Sequence, residues 1–196
     1  MQSMKHRAAR LLAATWMCLC AGTALAVPYH HVDIDTSTLG TGTAYLGLDF
    51  LGVDGATPAS ATVDNLAGAL LGGPVASGSV TSGPAGTLTF TNDGGGGDWF
   101  QAIQLGGHFS FDVSFLFGAG VDGSTFSWSV FDDTHYLGVD GNLGSIDLHP
   151  EAVAGSGLTA APDNAFSTVR AVPEPSTLLL VALAGGLMAV RRRIRA

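Results

Sequence analysis

His108-Phe109-Ser110-Phe111-Asp112-Val113-Ser114-Phe115 alternates apolar and polar without a break. Phe109, Phe111, Val113 and Phe115 share one face of an extended chain, and His108, Ser110, Asp112 and Ser114 share the other, which is the pattern of a half-buried β-strand. Working outward, residues 124–131 repeat the scheme, with Phe126, Trp128 and Val130 set against Ser127 and Ser129. Leu88 and Phe90 alternate with Thr87, Thr89 and Thr91 in the same way. Further strands are predicted over 29–35, 44–50, 60–66, 99–105, 145–148 and 165–170, each bounded by turn-forming residues. Nine short strands of this kind predict an all-β domain, an antiparallel two-sheet β-sandwich that is jelly-roll-like. No stretch carries a sustained helical stripe. Residues 64–71 are the weakest point, because Asn65-Leu66-Ala67-Gly68-Ala69-Leu70-Leu71 could make one helical turn. The 28 glycines argue against more, since each costs a helix close to 1 kcal/mol relative to alanine. Phe109, Phe111, Trp128 and Phe131 are expected in the core. A domain of this size buries roughly 68–70% of its unfolded surface, enough for a cooperative core without metals or bridges.

The two ends differ in kind from the middle. Lys5, Arg7 and Arg10 precede a short apolar stretch over 11–22, and Ala24-Leu25-Ala26 places small residues where a signal peptidase reads them. A signal peptide over 1–26 is expected, cut between Ala26 and Val27. Its apolar run is too short to cross a hydrocarbon core of roughly 30 Å comfortably. Cys18 and Cys20 both lie inside it, so the mature chain is expected to fold without disulfides. At the other end Val172-Pro173-Glu174-Pro175 precedes a pure apolar run over 178–190, which stops at Arg191-Arg192-Arg193-Ile194-Arg195. As a helix that run covers only about 20 Å, so a transmembrane span must borrow length from its flanks, as snorkelling arginines allow. Arg191, Arg192, Arg193 and Arg195 form a basic anchor expected on the cytoplasmic side, which puts residues 27–175 across the membrane.

Between the ends lies an acidic body. Residues 27–171 hold fifteen of the sixteen acidic residues but only Arg170 of the eight basic ones, a formal charge of −14 against −8 for the whole chain. Binding to nucleic acid or to anionic lipid through charge is thereby excluded. No lysine follows Lys5, which removes Schiff-base chemistry and a Walker-type phosphate loop. The histidines at 30, 31, 108, 135 and 149 show no His-x-Glu or His-Glu-x-x-His spacing, and His30 and His31 point to opposite faces of a strand, so no zinc site is expected. Gly-Val-Asp-Gly recurs at 52–55, 120–123 and 138–141. Asp-Gly suits a tight hairpin turn, and the uneven spacing is not that of a calcium-binding repeat. Asp93 and Asp98 flank four glycines, the one loop where two carboxylates and free carbonyls could hold calcium; an open surface loop is the simpler reading. With no Gly-x-Ser-x-Gly elbow and no mature cysteine, no catalytic residue, cofactor or enzymatic activity is expected. No Asn-x-Ser/Thr acceptor occurs either.

Pro173-Glu174-Pro175, the short apolar run and the terminal arginines, in that order, resemble the PEP-CTERM sorting signal of exosortase substrates. The resemblance implies export across the inner membrane of a Gram-negative bacterium and transient anchoring there. It further implies recognition by exosortase, a membrane-embedded, cysteine-type, transpeptidase-like enzyme, with removal of the tail and release or attachment at the cell surface, often alongside exopolysaccharide production. The domain plan becomes signal peptide over 1–26, β-sandwich over 27–171 and sorting signal over 172–196. YHHVDIDTST at 29–38, YLGLDF at 45–50, ATVDNL at 61–66, GTLTFT at 86–91, WFQAIQ at 99–104 and FSFDVSF at 109–115 occur in the order seen in a group of small PEP-CTERM proteins of unassigned activity. That second resemblance implies fold and location only. The expected role is structural or adhesive, linked to exopolysaccharide, with divalent cations bridging the acidic body to anionic polysaccharide. Signal peptidase and exosortase are the expected processing partners. Two other classes are a carbohydrate-binding module using a sheet face or the loops around Trp99, Tyr136 and Asp98, and a secreted hydrolase with paired carboxylates in a cleft.

Overall fold

The computed structural model describes residues 29–152, 157–172 and 185. The predicted signal peptide with its cleavage residues Ala24, Ala26 and Val27, the tripeptide Pro173-Glu174-Pro175, the transmembrane sorting helix and the arginine anchor lie outside the described residues. Among those described, no helix is long and apolar enough to cross a membrane.

Twelve strands are described: β1 Tyr29–Asp35, β2 Thr43–Gly52, β3 Ala59–Ala67, β4 Leu70–Gly78, β5 Val80–Ser82, β6 Leu88–Thr91, β7 Gly96–Gln104, β8 His108–Phe117, β9 Ser124–Phe131, β10 Gly144–Leu148, β11 Leu158–Ala160 and β12 Ser167–Val172. They form two six-stranded antiparallel sheets, a first in the order β12-β1-β8-β3-β6-β5 and a second in the order β11-β10-β9-β2-β7-β4. Inward residues of both sheets build one core. Phe111 of the first sheet meets Phe126 and Trp128 of the second edge-on, with ring centroids 6.1 and 6.0 Å apart, and Phe126 also meets Phe90 at 5.8 Å and Phe115 at 5.9 Å. Val32, Ile34 and Val63 pack from one side, and Leu46, Leu48, Phe50 and Ile146 from the other. Each such side chain contributes roughly 1.5–3 kcal/mol by leaving water, so this layer is the main stabilising term.

All nine predicted strands occur, with ends shifted by up to three residues. β4, β5 and β11 were not predicted. β4 reads Leu-Leu-Gly-Gly-Pro-Val-Ala-Ser-Gly and is exposed along most of its length, so neither alternation nor β-propensity marks it. The three-residue β11 lies in an Ala-, Gly- and Ser-rich stretch that carries no strand pattern. Residues 64–71 make no helical turn. Instead β3 runs to Ala67, Asn65 takes a left-handed φ of 55° at a register shift, and β4 starts at Leu70. Phe131 also departs from expectation: it sits half-buried on the outer face of the second sheet.

The Gly-Val-Asp-Gly segments are not tight hairpins. The first carries the chain from β2 in the second sheet to β3 in the first, with Ala56 N donating to Val53 O at 3.0 Å around Gly55 at φ 80°. The second crosses from β8 to β9, again between sheets. The third lies within the long connection between the paired strands β9 and β10. A two-residue hairpin joins adjacent strands of one sheet, and its favoured form needs positive φ at both central residues. Among the described non-glycine residues only Asn65 and Ala85 have one. The four-glycine run is likewise no open loop: Asp93–Gly95 form a 3-10 turn, while Gly96 and Gly97 begin β7. A Cβ at Gly96 would collide with the Phe50 carbonyl oxygen, so glycine there serves close approach of two strands.

Candidate functional site

Alternation along β2, β7 and β9 sends Leu48, Trp99 and Trp128 inward and leaves a second set of side chains on the outer face of the second sheet. Cross-strand register arranges that set in rows: Tyr45 opposite Phe131 and Ala102, Gly47 opposite Ser129 and Phe100, and Asp49 opposite Ser127 and Asp98. The rings gather over Gly47. Tyr45 stacks on Phe131 at 5.5 Å with planes 25° apart, and Phe100 stands edge-on to both at 5.9 and 6.1 Å. Tyr136, on the connection after β9, adds a fourth ring 6.2 Å from Phe131 and is 48% exposed. A Cβ at position 47 would come within 2.9 Å of both the Phe131 ring and Ser129 Oγ, so the cluster depends on glycine beneath it. β4 extends the apolar surface with Leu71 opposite Ala102 and Val75 opposite Phe100, both exposed.

Beside the rings lies a carboxyl pair. Asp49 is partly buried, and that burial, then the charge of Asp98, then a hydrogen bond between the two, push its pKa up to about 6. Below that pH Asp49 is mostly protonated and can donate to Asp98. Above it, two adjacent negative charges sit on the face, favouring any donor or cation placed between them.

The outer face of the first sheet is mostly polar, with Leu116 of β8 as an exposed apolar exception. His31 Nδ1 lies 2.7 Å from Asp112 Oδ1, and Asn65 Nδ2 donates to Asp112 Oδ2 at 2.7 Å. His108 bridges Asp33 and Asp35 at 3.3 and 3.9 Å, and a cavity of about 390 Å³ opens between these groups, Phe166 and Arg170. Asp35 is held below the usual carboxylate range by hydrogen bonds from the Ser37 side chain and backbone, and Asp132 by the side chain and backbone of Thr134. His135 pairs with Asp132 at 3.1 Å and His149 with Glu151 at 3.6 Å. Of the described histidines, His30 alone turns inward. It is buried edge-on to Phe115 at 6.2 Å, its Nδ1 has no hydrogen-bond partner among the described residues, and burial lowers its pKa.

At the far edge of this sheet β12 ends at Val172, the residue at which Val-Pro-Glu-Pro begins. Residues 171–195 match the family described as the PEP-CTERM protein-sorting motif. The chain carries a PEP-CTERM sorting motif. That motif implies an exported protein targeted to and processed by exosortase, with sorting through a membrane-anchored stage. No curated protein and no solved structure matches the chain.

Within this PEP-CTERM chain the other predicted site residues are dispersed. Asp98 finds Asp49 as its partner, while the Asp93 carboxylate accepts from Thr91 Oγ1 at 3.1 Å. Among the described residues no group of three or more His, Cys, Asp or Glu side chains is placed to hold a metal. Trp99 is no surface platform: it is 2% exposed and belongs to the core, because its place in β7 points it inward. Tyr136 is exposed as a binding loop would need. Tyr45, Phe100 and Asp49 were missed. Their outward phase on two predicted strands was readable, but the pairing that brings β2 and β7 together was not.

Proposed function

We propose that the exported domain is a non-enzymatic component of the cell surface or extracellular matrix that retains exopolysaccharide through the outer face of the second sheet. One observation carries this reading: the cluster of Tyr45, Phe100, Phe131 and Tyr136 beside the Asp49–Asp98 pair. Sugar rings offer C–H faces that pack on aromatic side chains and hydroxyls that donate to carboxylates, so this juxtaposition suits a glycan chain laid across strands. The alternation of successive strands between sheets, with β1-β8-β3-β6 over β2-β7-β4, supports a jelly-roll-like description of the scaffold. A hydrolase reading is disfavoured, because Asp49 and Asp98 are close enough to share a hydrogen bond, whereas glycosidase carboxyls stand about 5–9.5 Å apart.

The test is retention of the producer's exopolysaccharide by mature protein, comparing the parent with Phe100→Ala and Tyr136→Ala. A tenfold or greater loss in the ring variants, with chelator having little effect, is the expected result. The acidic body favours a second reading, in which divalent cations bridge the domain to anionic polymer. In that case chelator abolishes retention and the ring variants bind like the parent. Retention indifferent to both treatments would sink the assignment.

A further inference from the structure

The sorting match begins at Ala171, inside β12, and Pro173 follows the last strand residue directly. Arg170, Ala171 and Val172 are therefore asked to serve two partners. In the folded domain they pair with His31, His30 and Tyr29 of β1. A processing enzyme that binds its substrate as an extended chain uses the same main-chain groups and needs room on both sides of it.

β12 is held unevenly along its length. Its start is fastened: Ser167 is buried, its hydroxyl accepts from Trp128 Nε1 at 2.8 Å, and its backbone N–H donates to Asn164 Oδ1 at 2.9 Å. Thr168 and Val169 are partly covered, and Val169 N donates to Asp163 Oδ1 at 2.8 Å. Beyond that point Arg170 and Ala171 are exposed, and the strand has a single neighbour, β1. Opening the last three residues thus breaks a few edge ladder bonds and uncovers little apolar surface, while the anchor at Ser167 stays in place. Only residues 173–177 separate β12 from the apolar run, a span of at most about 20 Å, and three released residues add about 10 Å.

We infer that β12 is a strand with a releasable end, and that exosortase engages the chain with Arg170, Ala171 and Val172 drawn away from β1. The inference rests on the reading of this chain as an exosortase substrate. Processing then competes with closure of the sheet, and the rate of tail removal reports how easily the last strand frays.

The experiment uses the full chain exported in an exosortase-bearing host, with tail removal followed over time by intact mass and membrane fractionation. Two changes probe the strand. A Gly-Ser-Gly-Ser insertion after Val172 supplies spare length, and His31→Cys with Arg170→Cys ties β12 to β1 at directly opposed positions, in a mature body that has no other cysteine. The expected result is severalfold faster processing with the insertion and severalfold slower processing with the cross-link. Reductant should restore the cross-linked chain, and so should combining the two changes. Protease resistance of the accumulated body confirms that each variant folds. Rates unaffected by both changes would overturn the inference, as would slower processing with the insertion alone, which would mean the enzyme docks on an intact β12. A parent chain left unprocessed where a known substrate is cut overturns the underlying substrate reading instead, and the inference falls with it.

Discussion

Asp49 and His30 make opposite demands on pH. The Asp49 carboxyl titrates near 6 in the folded protein and near 3.8 in the unfolded chain, so its contribution to stability is fully present below about 3.8 and lost as pH rises through about 6. Asp49→Asn is therefore expected to raise stability at pH 8 by about 1–2 kcal/mol, with the gain shrinking toward pH 5, as read from urea midpoints across that range. An equal gain at both ends would refute the raised pKa of Asp49. His30, held neutral by burial, acts the other way: its contribution is present above the ordinary histidine value of 6.5 and falls away as pH drops below it, because the unfolded chain takes up the proton first. His30→Leu should flatten this loss, so the variant gains on the parent between pH 7 and 5. At this scale the sequence was only half readable. Period two along 44–50 puts Tyr45 and Asp49 on one face, but nothing local says that residues 49 and 98 stand opposite each other.

Elements are joined by fewer groups than the sheet ladders suggest. Asn92, at the end of β6, is buried; its Oδ1 accepts from Ala59 N at 3.0 Å, and its Nδ2 donates to Thr57 O at 2.7 Å and to Ser124 Oγ at 2.9 Å. That one amide ties the approach to β3, the end of β6 and the start of β9 across both sheets. Asn92→Ala leaves several buried polar groups unpaired and is expected to cost about 2–4 kcal/mol, measured as a lower denaturant midpoint with unchanged slope. The ring cluster has its own element-scale check: Gly47→Val places a branched side chain under Phe131, so near-ultraviolet dichroism from the stacked rings should change while far-ultraviolet strand content holds. The strands that alternation revealed are those with one face in the core, β8 most plainly. β4 escaped because neither of its faces is covered, and β9 looked simpler than it is: Ser127 and Ser129 are outward yet buried, shaded by the larger side chains around them.

At the scale of the whole acidic body, residues 27–171, net charge opposes compactness through self-repulsion. A body of charge −14 with Arg170 as its single basic residue should gain stability as salt screens it, so the melting temperature is expected to rise between 10 and 150 mM sodium chloride; a flat response would show that the carboxylates are already locally compensated. Composition made this charge evident at once, and the tail motif was equally plain, since both are written in residue types. The topology was not, because two six-stranded sheets exchanging strands along the chain depend on long-range pairings that no local pattern encodes. One of those pairings has a practical corollary. Tyr29 faces Val172, so the polypeptide enters and leaves the fold at a single rim. Such a body can be spliced as a cassette into the loop of an unrelated host without prising the host open. Its own ends can also be sewn together by a short linker and reopened elsewhere, for instance between Gly120 and Gly123, to give a permuted version with the same core.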